Sequence, residues 1–166
     1  MIEERFLKEV PERLSQLKLR ADKAISQVSD AEFSVTLDDE ANSIALIMKH
    51  VAGNMRSRWT DFLTSDGEKP NRRRDSEFEA DGQDTRAAVT AAWHAGWDLT
   101  IRTIAALTPE DLQKHVQIRG ESLSVVDAIH RQMMHYAEHV GQIVLLAKHY
   151  AGAEWQSLSI PKRRAR

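Results

Sequence analysis

The stretch SVVDAIHRQMMHYAEHVGQIVLLAKHY, residues 124–150, decides the fold. Val125, Ile129, Tyr136, Val140 and Ile143 recur three, four or seven residues apart, the period of one helical face. Ser124 is placed to cap the start of this helix, and Gly152 to end it in a left-handed conformation.

Working outward, three further segments carry the same period. In residues 2–28 the positions are Ile2, Phe6, Val10, Leu14, Leu17, Ala21, Ile25 and Val28. Pro11 lies inside this run and either kinks the helix or marks its first turn. In residues 43–63 the stripe is Ile44, Met48, Val51, Met55, Trp59 and Phe62, with Asn42 as the expected N-cap. In residues 85–107 it is Val89, Trp93, Trp97, Ile101 and Ile104; the two tryptophans suit either the core or a dimer face. Two long connections separate these helices. Residues 66–84 are polar and hold Lys69-Pro70-Asn71-Arg72-Arg73-Arg74-Asp75. Residues 108–123 open with the helix-start signature Thr108-Pro109-Glu110-Asp111 and continue as His115-Val116-Gln117-Ile118-Arg119-Gly120, a short extended piece ending in a turn. No other strand pattern is present. The expectation is one all-α domain over residues 1–166, a four-helix bundle with long crossover loops.

Composition narrows the function classes. A 166-residue chain with 42% hydrophobic residues can build one core. A net charge of −2 gives no field that selects nucleic acid or acidic membranes. The basic run Lys162-Arg163-Arg164-Ala165-Arg166 lacks interleaved aromatics and reads as a solubilising tail. No apolar run is long enough to span a bilayer, and the charged, amphipathic start MIEERFLKEVPERL does not read as a signal peptide. A cytoplasmic protein without nucleic-acid or membrane partners is expected. The absence of cysteine removes disulfides, thiolate ligands and a cysteine nucleophile. Phosphate-binding glycine loops, dinucleotide fingerprints and serine elbows are also absent.

Histidines carry the chemistry that remains. His135 and His139 stand four apart and project from one helical face on successive turns, a natural two-point grip on a transition metal. Ala128, Gln142 and Leu146 share their strip, at an inner edge of the bundle where another helix can add ligands. The alternative is two half-buried histidines, each with its own hydrogen bond. His50, in the least polar part of the second helix beside Ile47 and Asn54, is the candidate third ligand, because a buried imidazole must be paired. Its alternative is a core histidine bonded to a backbone carbonyl. Asn54 and Gln142 are candidate partners for the second ring nitrogens. The zincin motif is not present: Tyr136, not glutamate, follows His135. His94 and His130 read as surface residues, His149 as a last-turn residue whose partial positive charge suits the helix dipole, and His115 as a loop residue able to approach a pocket. Arg72-Arg73-Arg74, followed by Asp75, Glu77 and Glu79, reads either as a solvated loop with internal ion pairs or as an anion-binding lid.

Several of these segments resemble one known superfamily. Asn42-Ser43-Ile44-Ala45-Leu46-Ile47-Met48-Lys49-His50-Val51-Ala52-Gly53-Asn54-Met55 resembles the second helix of the DinB/YfiT-like proteins. His135-Tyr136-Ala137-Glu138-His139-Val140-Gly141-Gln142-Ile143 resembles their fourth-helix signature. Asp66-Gly67-Glu68-Lys69-Pro70, Arg74-Asp75-Ser76-Glu77-Phe78 and Trp155-Gln156-Ser157-Leu158-Ser159-Ile160-Pro161 are similar to an uncharacterised bacterial branch of that superfamily. The resemblance implies an up-down-down-up bundle, often a homodimer. It implies a divalent metal, zinc or nickel, on His50, His135 and His139. It further implies a metal-dependent enzyme, a transferase or hydrolase acting on a small molecule, such as a thiol transferase using a low-molecular-weight thiol. A non-catalytic, stress-related metal- or ligand-binding dimer is the alternative.

Overall fold

A computed structural model describes residues 1–160; Pro161 and the basic run 162–166 lie outside the described residues. The chain forms α1 (Ile2–Ile25), a short α2 (Asp30–Ser34), α3 (Ile44–Trp59), α4 (Arg86–Ala105) and α5 (Val125–Ala151). Between α4 and α5 lies a hairpin of β1 (His115–Ile118) and β2 (Glu121–Ser124). The fold is an all-α bundle. Among the described residues no helix is long and apolar enough to cross a membrane.

The four long helices form a ring in which α1 and α3 each pack on both α4 and α5. Side-chain pairings give their directions. Trp93 bonds Asp22 and Arg86 bonds the Ile25 carbonyl, so α1 and α4 run antiparallel. Gly96 faces Ala52 and Met55 while Thr103 reaches Trp59, so α3 and α4 run parallel. His139 faces His50 and Tyr136 bonds Trp59, so α3 and α5 are antiparallel. The order is therefore up-down-down-up.

Helices α3, α4 and α5 each start where a side chain satisfies an orphan N–H. Ser43 accepts from Leu46, Thr85 from Ala88 and Ser124 from Asp127. The cap of α3 is Ser43 rather than Asn42, since Ser43 has the extended backbone that lets its hydroxyl turn back onto the first turn. Gly152, at φ 51°, closes α5 as expected. Pro11 sits within α1, which continues through it. Predicted helix ends overran by a few residues: α1 stops at Ile25 and α3 at Trp59, where Asp61 takes φ 50°. Ile2, expected in the core stripe, is 79% exposed because α1 overhangs the bundle there.

The core is built from the expected stripes: Ile44, Met48, Val51, Met55 and Trp59 of α3 face Trp93, Trp97 and Ile104 of α4 and Val125, Ile129, Tyr136 and Ile143 of α5. Both helix-α4 tryptophans are fully buried, which assigns them to the core and not to an exposed face. Gly96 permits the close approach of α3 and α4: a Cβ there would stand 3.2 Å from Met55 Cβ and 3.4 Å from Ala52 Cα.

The connections are ordered by specific polar bonds. Arg119 (φ 57°) and Gly120 (φ 74°) form the two-residue turn of the hairpin, both left-handed, as a type I′ turn requires. The Asp66 carboxylate accepts from the backbone N–H groups of Arg119 and Gly120 at 2.9 and 2.8 Å, tying the α3–α4 connection to that turn. Ser57 of α3 accepts from Lys69 N–H and donates to the Gly67 carbonyl. The 66–79 segment is thus folded back onto α3.

Two glycines give opposed expectations. Gly96→Val is expected to lower the unfolding free energy by about 1–3 kcal/mol through overpacking between α3 and α4. Gly141→Ala is expected to raise it by about 0.5–1 kcal/mol, because nothing lies within 4 Å of the added Cβ on α5. Urea denaturation of both variants checks the pair of signs.

Candidate metal centre

The antiparallel contact of α3 and α5 brings the three predicted histidines together. One ring nitrogen from each of His50, His135 and His139 lies within 4.8 Å of the others. His135 Nε2 stands 3.3 Å from His50 Nε2 and 3.1 Å from His139 Nε2. The rings meet edge to face, not stacked. His50 is buried, and His135 and His139 are half-buried.

The outer nitrogens of two rings are committed. His50 Nδ1 donates to Glu77 Oε2 at 2.9 Å, and His139 Nδ1 donates to Gln142 Oε1 at 2.8 Å. In each neutral ring the remaining lone pair is then on Nε2, which points into the cluster. The third ring cannot satisfy both lone pairs with its single proton, and its own buried Nδ1 has no partner. An acceptor-rich centre of this kind is satisfied by a cation. The spacing suits one as well: nitrogens bound at 2.0–2.1 Å around a tetrahedral zinc are separated by roughly 3.3 Å. Three histidines close together could therefore hold a metal ion, and the residues present fit that group.

Glu77 is held as firmly as the ring it supports. Arg72 grips its carboxylate through two parallel bonds, Nε to Oε1 at 2.8 Å and Nη2 to Oε2 at 2.7 Å. Arg72 also pairs with Glu68, which in turn receives Arg58 and Arg119. Phe78 stacks on the His50 ring at 4.4 Å, with the Arg74 guanidinium 5.1 Å from the Phe78 ring. Gly53 makes the approach of Glu77 feasible, since a Cβ there would collide with the carboxylate.

Below the cluster, Tyr136 closes the core side. Its hydroxyl accepts from Trp59 Nε1 at 2.9 Å and donates to Asn54 Oδ1 at 3.3 Å. Asn54 is therefore the partner of Tyr136 and not of a histidine, whereas Gln142 holds the place expected of it. His94 and His130 are exposed, as expected, and His149 stands in the last turn of α5, also as expected. His115 is exposed on β1 and lines neither of the two cavities that lie along α3. Glu138 is exposed on the outer side of α5. Sequence reasoning did not find Glu77 or Phe78 as site residues. Their signal was the mixed run Arg72–Glu79, whose meaning depends on the loop folding back onto α3.

The surroundings disfavour the protonated forms of His135 and His139. Burial, then the neighbouring His139 and His50 and the cationic Arg58 and Arg72, push the His135 imidazolium down to about 3. Burial also lowers His139, against the opposing bond to Gln142. Burial by itself would raise the Glu77 carboxyl, but Arg72 and His50 more than offset it, so Glu77 stays below the usual carboxylate range.

Between the ordinary histidine value of 6.5 and about 3, the unfolded chain carries a proton on His135 that the folded chain does not. Stability therefore rises with pH across that interval and is lost on acidification. The depressed carboxylates act in the same direction only below their own unfolded values, so pH 5 to 6.5 isolates the histidines. In metal-free protein, His135→Gln is expected to flatten the rise in that window, by at most about 1.4 kcal/mol per pH unit for one proton. An unchanged slope in chemical denaturation would refute the assignment.

Comparison with known proteins adds a family and no activity. No curated protein matches the sequence. Residues 1–164 match the family described as "Protein of unknown function (DUF1572)". The match covers nearly the whole chain, including every residue of the histidine cluster and its supporting loop, and the protein therefore belongs to DUF1572.

Proposed function

We propose that the protein binds a divalent metal, zinc or nickel, through His50, His135 and His139, and uses it as an enzyme acting on a small molecule in the manner of the DinB/YfiT-like superfamily. The observation that carries this reading is the convergence of three Nε2 atoms whose outer nitrogens are held by Glu77 and Gln142 on two of the three rings. Three neutral imidazoles leave a coordination position open, the arrangement of a reactive rather than a structural site. A divalent ion there supplies a Lewis acid that lowers the pKa of a thiol or water into the neutral range.

The chain's own residues do the rest. Glu77 keeps the His50 proton on Nδ1, and Arg72 keeps Glu77 charged and in place. Gln142 fixes the tautomer of His139. Phe78 and the core side chains exclude water from the His50 side of the cluster. Tyr136, whose hydroxyl is buried and doubly bonded, is held out of the chemistry; burial raises its pKa. No carboxylate occupies the zincin position, which disfavours peptide hydrolysis and favours transfer between small molecules, with a low-molecular-weight thiol as the donor. The same lack of a general base favours a second reading, a non-catalytic metal-binding protein, in which the site holds metal without turnover.

Protein purified without an affinity tag is expected to carry about one divalent ion per chain by elemental analysis, and His50→Ala and His135→Ala are expected to lose it. Variants that retain as much metal as the parent would refute the site. Glu77→Gln is expected to weaken metal binding about 10- to 100-fold, the range for carboxylates that orient a ligating histidine. Thiol-transfer assays of the metal-loaded protein with a panel of electrophiles separate the two readings: turnover supports the enzyme, and none with any thiol supports the binding protein.

A further inference from the structure

On the side of Glu77 away from the histidines, two cavities of about 550 and 490 Å³ open along α3. They share Gly53, Arg56, Asn71 and Arg72, and so form one groove between α3, α4 and the folded-back connection. Neither is lined by a histidine. The groove exists because α4 presents small side chains there: Ala88, Ala92, Ala95 and Gly96 make an apolar floor with Leu99 at its end. Its combined size is that of a small-ligand site.

The charges around it do not cancel. The larger cavity is lined by Lys49, Arg56, Arg72 and Arg73 on one side of the balance and by Glu77 and Asp84 on the other. Lys49 pairs with Asp84 at 2.7 Å, and Arg72 with Glu77 at 2.7 Å. Arg56 and Arg73 have no carboxylate partner among the described residues, so two guanidinium groups are left over at the rim. This excess stands in a chain of net charge −2. Of the consecutive arginines, Arg72 is consumed by a buried ion pair and Arg74 lies over Phe78, which leaves Arg73 for the groove.

We infer that this groove is a second binding site, separate from the histidine cluster, for a small organic anion with an apolar body. The free guanidinium groups of Arg56 and Arg73 would bind its carboxylate, phosphate or sulfonate, the geometry that arginine matches best. The alanine floor would take a flat apolar part. Glu77 and Gly53 form the wall between the two sites. The inference does not rest on the metal reading, and either can fail alone.

Titration of the ¹⁵N-labelled full-length protein with benzenesulfonate, a weak metal ligand, tests it. Saturable amide shifts are expected at Gly53, Asn71, Ala92 and Ala95. Methanesulfonate, which lacks the apolar body, and benzyl alcohol, which lacks the charge, are each expected to bind at least about tenfold more weakly. The double variant Arg56→Gln/Arg73→Gln should weaken benzenesulfonate binding about tenfold or more, and Ala92→Leu, which fills the floor from an exposed helix position, should abolish the shifts. Shifts centred on the histidines, no saturation below about 10 mM, an affinity that the double arginine variant leaves unchanged, or shifts that persist in Ala92→Leu would overturn the proposal.

Discussion

The arrangement described above depends on one buried carboxylate. Glu77 lies between the two-pronged grip of Arg72 and the Nδ1 of His50, with its side chain 10% exposed and that of Arg72 5% exposed. A charge removed from water this far is tolerated only when both of its oxygens are paired. The pairing therefore fixes three things at once. It pins a long polar connection to the outside of α3. It sets the tautomer of a histidine inside the bundle. It raises the wall that separates the histidine cluster from the arginine-rimmed groove. Gly53 is part of the same constraint, because any side chain there would occupy the space of the carboxylate.

The parts that were legible in the sequence are those in which neighbours along the chain are also neighbours in space. The α5 stripe from Val125 to Ile143 shows its helix and its buried face directly, and His135 and His139 fall on one side of it by helical geometry. Ser124 and Gly152 mark its ends through backbone needs that are themselves local. His50 was legible as a candidate because a titratable ring in so apolar a helix needs a partner. The pairing of His50 with His135 is a contact between residues far apart in sequence, and it was reached by family resemblance before geometry showed it.

Tertiary placement hid the rest. Arg72 and Glu77 read as loop charges because nothing local shows that Ser57 and Asp66 fold the segment back onto α3. Asn54 looked like a histidine partner by spacing, yet the antiparallel crossing brings the Tyr136 hydroxyl to it first. The β2 strand is not legible because its burial does not alternate as that of β1 does, and its pairing is set by the Arg119-Gly120 turn. Short α2 is not legible either: its Ser29–Glu32 capping box spans barely one turn.

Function rests on what converges at the cluster and on what is kept away from it. Three Nε2 atoms face one another, one carboxylate, Glu77, reaches the cluster only through the outer nitrogen of His50, and the neighbouring phenol is locked into the core. Such a centre has the donors for a cation. The central claim is that these three rings, and no others, hold a metal through Nε2. Long-range ¹H–¹⁵N NMR of the histidine side chains during zinc titration tests it most directly. His50, His135 and His139 are expected to move together to the signature of metal at Nε2 with the proton on Nδ1, saturating at one zinc per chain, while His94, His115, His130 and His149 stay unchanged. A response from a different set of rings, or none, would contradict it.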